Sequence, residues 1–316
     1  MLKIHFLNVG HGDCCLVEFI DNSRVAMIDI NRTAEMDKNS VKEIYESSFQ
    51  GEQDINRWLF EAGVINSSVL LEKAGYDIQL QDPLEYLKNN NITSIFRYIS
   101  THPHIDHLSG FHDLITNLNI YNFWIIKNSY TQDEEKLTES QKKDWKLYKK
   151  FCDTSNNEID GITVIRPEEG SKAEYYTQDN ISILAPNAAL KKEGESNTNE
   201  MSYVLLITYN GRKILLPGDA EEKTWKHIVE NYSSEIKGID ILKAAHHGRD
   251  SGYYQPAVKI MSPTVTIVSV GKKPDTDASN KYKQYSNYVW STRWKGNIVF
   301  TIDDNGKISY DTQYER

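Results

Sequence analysis

Ser100-Thr101-His102-Pro103-His104-Ile105-Asp106-His107 places three histidines and an aspartate within six positions, directly behind a run from Ile95 to Ile99 that reads as a buried strand. Imidazole is the commonest protein ligand for transition metals, and a carboxylate beside it suits zinc, iron or manganese. His102 and His104, two apart on an extended backbone, point the same way and can hold one ion. Asp106 and His107 are neighbours, so they face different directions and reach a second ion. One loop therefore seeds a two-metal site with ions about 3.5–4 Å apart. The alternative is a chance cluster of surface histidines. Nine histidines in 316 residues, with more ligand candidates at later strand ends, weigh against it.

The strand that carries this loop is one of many. Leu2 to Val9, Cys14 to Phe19 and Arg24 to Asp29 read as strands separated by the turns Gly10-His11-Gly12-Asp13 and Asp21-Asn22-Ser23. Further strands are expected at Asn119 to Ile126, Ile162 to Ile165, Ile181 to Leu184, Met201 to Thr208, Lys213 to Leu216, Ile239 to Ala245, Thr264 to Val270, Asn297 to Ile302 and Lys307 to Tyr310. Asn210-Gly211 and Asn305-Gly306 mark hairpins. Helices fit Val41 to Ser47, Gln53 to Ala62, Pro83 to Asn89, Leu108 to Leu118, the charged stretch Asp133 to Phe151, and Glu221 to Glu230, while Lys191 to Glu200 reads as a polar loop. Mostly hairpins with helices between sets of strands predict an α+β chain: an αββα sandwich of two mixed β-sheets with outer helices. A single domain over 1–316 is expected, with helical insertions at about 31–80 and 128–175 as a lid, a homodimer contact or a protein-partner surface.

Ligand candidates fall at strand ends: the His102–His107 loop, Asp219 behind Pro217-Gly218, and His246-His247. Strand alternation favours His246 as the ligand, leaving His247 to contact substrate or protonate a leaving group; the reverse stays open. Asp29 at a strand end is a candidate for orienting a ligand from behind. His11 and Asp13, in a glycine-flanked turn, either line an active site, with Asp13 supporting a ligand from behind, or form a turn that merely uses Asp13 as a local acceptor. Lys243 either touches an anionic substrate or caps the sheet. His112 reads as an ordinary helix-face histidine.

Composition sets outer bounds. A formal charge of −9 gives no broad basic footprint, which counts against binding nucleic acid through the overall field. Lys272-Lys273 and Lys281/Lys283 are the evident local cations. Three cysteines, two of them adjacent, predict a reduced chain without a disulfide framework. No apolar run approaches the ~20 residues a bilayer span needs, and no apolar signal segment is visible, so a cytoplasmic location without membrane contact is expected.

His102-Pro103-His104-Ile105-Asp106-His107 resembles the HxHxDH signature of the metallo-β-lactamase superfamily. Gly218-Asp219 is similar to its later bridging aspartate, and His246 or His247 to its late metal histidine. Leu7-Asn8-Val9-Gly10-His11-Gly12-Asp13, Asn199-x-x-Ser202, Leu216-Pro217-Gly218-Asp219-Ala220, Leu242-Lys243-Ala244-Ala245-His246-His247-Gly248 and Ser269-Val270-Gly271 resemble the hydrolase domain of ComEC-type competence proteins and their soluble relatives. His11 stands where that subgroup usually has glutamine, and no third-motif histidine precedes Asp219. The resemblance implies two divalent ions, Zn2+ foremost and Mn2+ as the alternative. It implies His102, His104, Asp106, His107, Asp219 and His246 as metal ligands, Asp106 and His247 as catalytic groups, and Lys243, Asn199 and Ser202 near the substrate. It also implies metal-assisted hydrolysis of a phosphodiester, possibly in nucleic acid. The competing expectations are hydrolysis of a small ester, cyclic nucleotide or lactone, and a non-catalytic metal-binding partner subunit.

Overall fold

Alternation on the first hairpin sets up the layering. In a computed structural model describing residues 1–33, 35–36, 38–49, 55–172, 179–271 and 276–315, strands β1 (Leu2–Phe6), β2 (Cys15–Phe19) and β3 (Arg24–Ile28) pair antiparallel in that order. Leu2, Ile4, Phe6, Cys15, Val17 and Phe19 share one buried face, while Leu16 and Met27 join a different core on the other. Cys14 and Cys15 thus enter opposite cores, and all three cysteines are free.

The pairing then turns parallel. β4 (Ser94–Ile99) lies beside β3, followed by β5 (Asn119–Trp124) and β7 (Ile162–Ile165), and the short edge strand β6 (Glu158–Ile159) pairs antiparallel with β7. With β14 (Ile298–Ile302) and β15 (Ile308–Thr312) on the far side of β1, this sheet has nine strands. The second sheet has six: β8 (Ile181–Ala185), β9 (Val204–Tyr209), β10 (Arg212–Leu216), β11 (Ile241–Lys243), β12 (Val265–Val268) and β13 (Tyr288–Ser291). Its strands β8 to β10 are antiparallel and β10 to β13 parallel. Both sheets are mixed, as expected.

The two sheets face each other across a core that includes Phe6, Val17, Ile99, Trp124, Leu205, Ile214, Leu216, Ile267 and Phe300. Leu87, Phe111, Leu114, Trp145, Tyr148 and Phe151, from the helices Pro83–Asn89, Phe111–Asn117 and Glu139–Asp153, cover the outer face of the nine-stranded sheet. Trp225, Ile228, Val258 and Met261, from Glu222–Tyr232 and Gln255–Met261, cover the other. The chain is an αββα sandwich. Each such side chain contributes about 1.5–3 kcal/mol when fully buried.

Of the stretch 128–175, the described residues 128–172 are woven into this body, because β6 and β7 extend the main sheet and Glu139–Asp153 buries Trp145, Tyr148, Phe151 and Cys152 against it. Its charged side faces outward, as expected. In the 31–80 stretch, helices Lys38–Phe49, Ile55–Glu61 and Ser67–Lys73 form a small core of their own around Val41, Ile44, Tyr45 and Leu70. Tyr76 ties it to the body by donating to the Arg293 carbonyl at 2.7 Å. Among the described residues no helix is long and apolar enough to cross a membrane.

Candidate metal centre

Asp29, the first residue after β3, organises the histidine loop. Its left-handed backbone (φ 57°) turns the carboxylate back under the end of β4. One oxygen accepts from the Thr101 amide (2.7 Å); the other accepts from the Thr101 hydroxyl and His107 Nδ1, both at 2.7 Å. With its proton on Nδ1, His107 presents the bare Nε2 to the interior. Thr101 repeats the device: its hydroxyl proton goes to Asp29, so its oxygen accepts from His102 Nδ1 (3.1 Å) and leaves His102 Nε2 bare. His104 is turned over. Its Nε2 meets the Thr198 hydroxyl at 2.8 Å, and its Nδ1 stands 3.0 Å from His102 Nε2.

Asp219 enters from the other sheet, after β10. Gly218 (φ 55°) makes this approach possible, since a Cβ there would lie 2.9 Å from that of Thr101. The Asp219 amide donates to Ser202 Oγ at 3.3 Å. Four imidazole Nε2 atoms face its Oδ2: His107 at 3.4 Å, His247 at 3.6 Å, and His102 and His246 at 3.8 Å. Donors on one zinc at 2.0–2.1 Å stand about 3.3 Å apart in a tetrahedron, so these separations would fit ligands around ions.

The histidine pair does not follow strand alternation, because β11 ends at Lys243 and His246 and His247 both adopt left-handed backbone (φ 49° and 53°). His247, almost fully buried, donates from Nδ1 to the Ser269 carbonyl (3.1 Å), and its Nε2 lies 3.4 Å from Asp106 Oδ2. Its Nδ1 is thus taken by a backbone carbonyl, and its Nε2 points into the centre beside Asp106. His246 Nδ1 is 2.9 Å from Glu221 Oε1 and 2.7 Å from Ser251 Oγ.

Charge agrees with the geometry. Burial pushes His107 and His247 down, but Asp219 with Asp29 raises the first well above its ordinary value, and Asp219 with Asp13 lifts the second to about 9. Burial raises the Asp106 carboxyl, yet the His247 hydrogen bond and the nearby imidazoles hold it well below the carboxylate range. The carboxylates therefore call for positive charge at the centre. His107 Nε2, His247 Nε2 and Asp219 Oδ1 are buried without a hydrogen-bond partner. Bare nitrogens and a bare carboxylate oxygen aimed inward suit a divalent cation. Among the described residues, two groups bring one donor atom from each member within 4.8 Å of the others: Asp13, His107, Asp219 and His247, and His11, Asp106 and His247.

Several expected substrate contacts lie behind the centre. Lys243 is buried and ion-paired with Asp13, whose oxygens lie 3.6 Å from Nδ1 of both His107 and His247. Asp13 thus stands behind both rings as a counter-charge, without the 2.7 Å hydrogen bond that Asp29 makes to His107. Asn199 is buried with its amide on Glu221 Oε1 (3.1 Å), and Ser202 is buried under Asp219. All three lack the exposure a substrate contact needs. His112 lies on its helix surface, paired with Asp113 at 3.4 Å. Of the local cations, Lys281 pairs with Asp250 at 2.8 Å, and Lys272-Lys273 lie outside the described residues.

Glu221 and Arg249 at the site went unassigned, and His11 was expected only to line it. Glu221, two residues past Asp219, is held down to about 2, chiefly by its hydrogen bond with His246 and despite partial burial, with Asn197, Asn199 and Ser251 assisting. Arg249, next after His246-His247-Gly248, donates from Nη2 to His11 Nε2 at 3.2 Å. His11, part-exposed and 4.0 Å from Asp106 Oδ2, is pushed down to about 4 by burial and by the His247 charge, so it is neutral and accepts. Proximity in sequence to Asp219 and His247 was the available signal.

No family model and no curated protein matches the chain. Solved structures similar to it include Igni18, a metallo hydrolase from the archaeon Ignicoccus hospitalis, at 13% identity over 98% of both chains and a TM-score of 0.46. A diphosphatase of the PhnP family matches at 10% identity, covering 92% of this chain and 94% of that one, with a TM-score of 0.41. Unliganded yeast PDE1 matches at 11% identity, covering 92% and 98%, with a TM-score of 0.40.

Proposed function

We propose that this chain hydrolyses phosphodiesters at a dinuclear metal centre. The observation that carries the reading is the convergence of bare, buried donors from both sheets on Asp219, each histidine fixed from behind by a specific acceptor. Asp106, His107, Asp219 and His247 would hold one divalent ion; His102, His104 and the shared Asp219 would hold the other. Nitrogen and carboxylate donors favour zinc, with manganese the alternative. When bound, such ions supply Lewis acidity toward water and the phosphoryl oxygens.

The remaining work falls to side chains. Asp106 Oδ2, part-exposed at the mouth and ionised, orients the attacking water and can accept its proton. A new P–O bond forms from that water as the bond to the leaving group breaks, and the proton taken up by Asp106 is returned, directly or through solvent, to the departing oxygen. Arg249 beside neutral His11 provides a cation for a non-bridging phosphate oxygen. The likeness to the ComEC-type hydrolase domain supports a phosphodiester, and a nucleic-acid strand belongs in the substrate panel with cyclic nucleotides.

Purified protein loaded with zinc or manganese should hydrolyse bis(p-nitrophenyl) phosphate, and Asp106→Ala should lose about 10²–10⁴-fold in kcat, the range for a positioned proton-transfer group. Absence of turnover in wild-type protein with metal bound would reject the phosphodiesterase reading. Arg249→Ala should raise KM for an anionic diester by about 10- to 100-fold, the worth of a charged hydrogen bond. An unchanged KM would remove Arg249 from the substrate.

A further inference from the structure

Expected ligation gives the His102–His104 ion two nitrogens and the shared carboxylate, three protein donors, with a fourth tetrahedral position that a protein group or water can fill. Asn199 is a poor choice to supply the fourth: its amide nitrogen goes to Glu221, and its bare Oδ1 is not among the thiolate, imidazole and carboxylate donors that zinc usually takes. A different residue is aligned to do so. His246 Nε2 stands 3.8 Å from Asp219 Oδ2, the same distance from the same oxygen as His102 Nε2.

We infer that His246 and His247 are both metal ligands, serving different ions, with His246 completing the His102–His104–Asp219 set and Glu221 as its positioning residue. The inference rests on the metal-centre reading above and extends it.

Backbone geometry supports the division. Consecutive non-glycine residues in left-handed conformation are unfavourable, each costing on the order of 1–3 kcal/mol, and persist where the surroundings impose them. His246 (φ 49°, ψ 49°) and His247 (φ 53°, ψ 27°) are such a pair. Their conformation sets the two rings 6.2 Å apart between centroids and 63° between planes, while both Nε2 atoms still face one Asp219 oxygen. On a strand, neighbouring side chains would point to opposite faces and only one could arrive. Gly252 helps hold the turn, since a Cβ there would lie 2.4 Å from the Ala245 carbonyl oxygen.

The far side of each ring is occupied differently. His247 Nδ1 donates to a backbone carbonyl, that of Ser269. His246 Nδ1 donates to Glu221, a carboxylate that also accepts from Asn197 (2.7 Å) and Asn199 (3.1 Å). A carboxylate behind an imidazole fixes the tautomer with Nε2 bare and strengthens the nitrogen as a ligand. Glu221 thus does for His246 what Asp29 does for His107.

The test is metal binding, read without substrate. Chelator-stripped protein is titrated with Zn2+ by equilibrium dialysis, and with Co2+ for its visible absorption. Wild type should take two ions per chain. His246→Ala should keep one at wild-type affinity and bind the other about 100-fold more weakly, with a loss of tetrahedral cobalt absorption that added imidazole partly restores. Glu221→Gln should weaken the same ion by about 10- to 100-fold, the usual effect of removing a ligand's orienting partner. It also carries the test should His246→Ala fail to fold. His247→Ala should affect the other ion. Two ions at wild-type affinity in both His246→Ala and Glu221→Gln would overturn the inference, as would equal loss of both ions in a folded His246→Ala. Failure of wild type to take two ions would instead overturn the metal-centre reading itself.

Discussion

Asp219→Asn should abolish binding of both ions and lower turnover by about 10³-fold or more, beyond the ~10–100-fold typical of groups that only orient a ligand. No other side chain is faced by Nε2 of His102, His107, His246 and His247 together among the described ion pairs. Asparagine keeps the shape and the amide bond to Ser202, so the fold should survive. What it removes is the negative charge shared between the two sites. The change also takes away the carboxylate that most strongly favours protonation of His107 and His247. Metal content and kcat measured on one preparation decide the matter. An asparagine variant that retains two ions would show that the carboxylate is not shared.

Lys243→Met should be the most destabilising single change near the centre, at about 3–5 kcal/mol, the cost of breaking a buried ion pair from one side. Burial pushes the Lys243 ammonium down, yet Asp13 and Asp219 carry it above its ordinary value, so it stays charged. Without it, Asp13 is a buried carboxylate whose remaining partners are the Nδ1 sides of His107 and His247. Denaturant unfolding of the metal-free protein gives the number. Asp13→Asn combined with Lys243→Met should recover much of the loss, because the orphaned charge disappears with its partner. A lysine that touched substrate would instead change KM and leave unfolding alone.

Much of this molecule could be read in advance. Strand positions followed alternation closely, as in Ile162–Ile165, and the spacing of His102 and His104 correctly put two nitrogens side by side. The readings that strayed depend on contacts between distant segments. Strand β13 is short, part-exposed and held by parallel pairing with β12, so its own residues carry little periodicity. The stretch read as a loop at Lys191 to Glu200 begins within helix Ala188–Glu193, whose Asn187 cap is a single side chain. Helix Leu108 to Leu118 starts three residues later than expected, because Gly110 turns left-handed and its amide and that of His112 are capped by Asp144, far along the chain. Lys243 looked available to substrate because its burial depends on Asp13, 230 positions away. Residue type and spacing revealed which groups are chemical; which of them face the substrate follows from packing alone.

The division of donors between sheets has a mechanical consequence. Asp106, His102, His104 and His107 ride on the nine-stranded sheet, whereas Asp219, His246 and His247 ride on the six-stranded one. An ion gripped from both sides would act as a rivet through the sandwich, resisting slippage of one sheet over the other. By mass action, ligand at 100 times its dissociation constant adds about 2.7 kcal/mol to folding. Metal supply in the protein's surroundings would then govern its lifetime as well as its turnover, and starvation for the ion would mark the chain for unfolding.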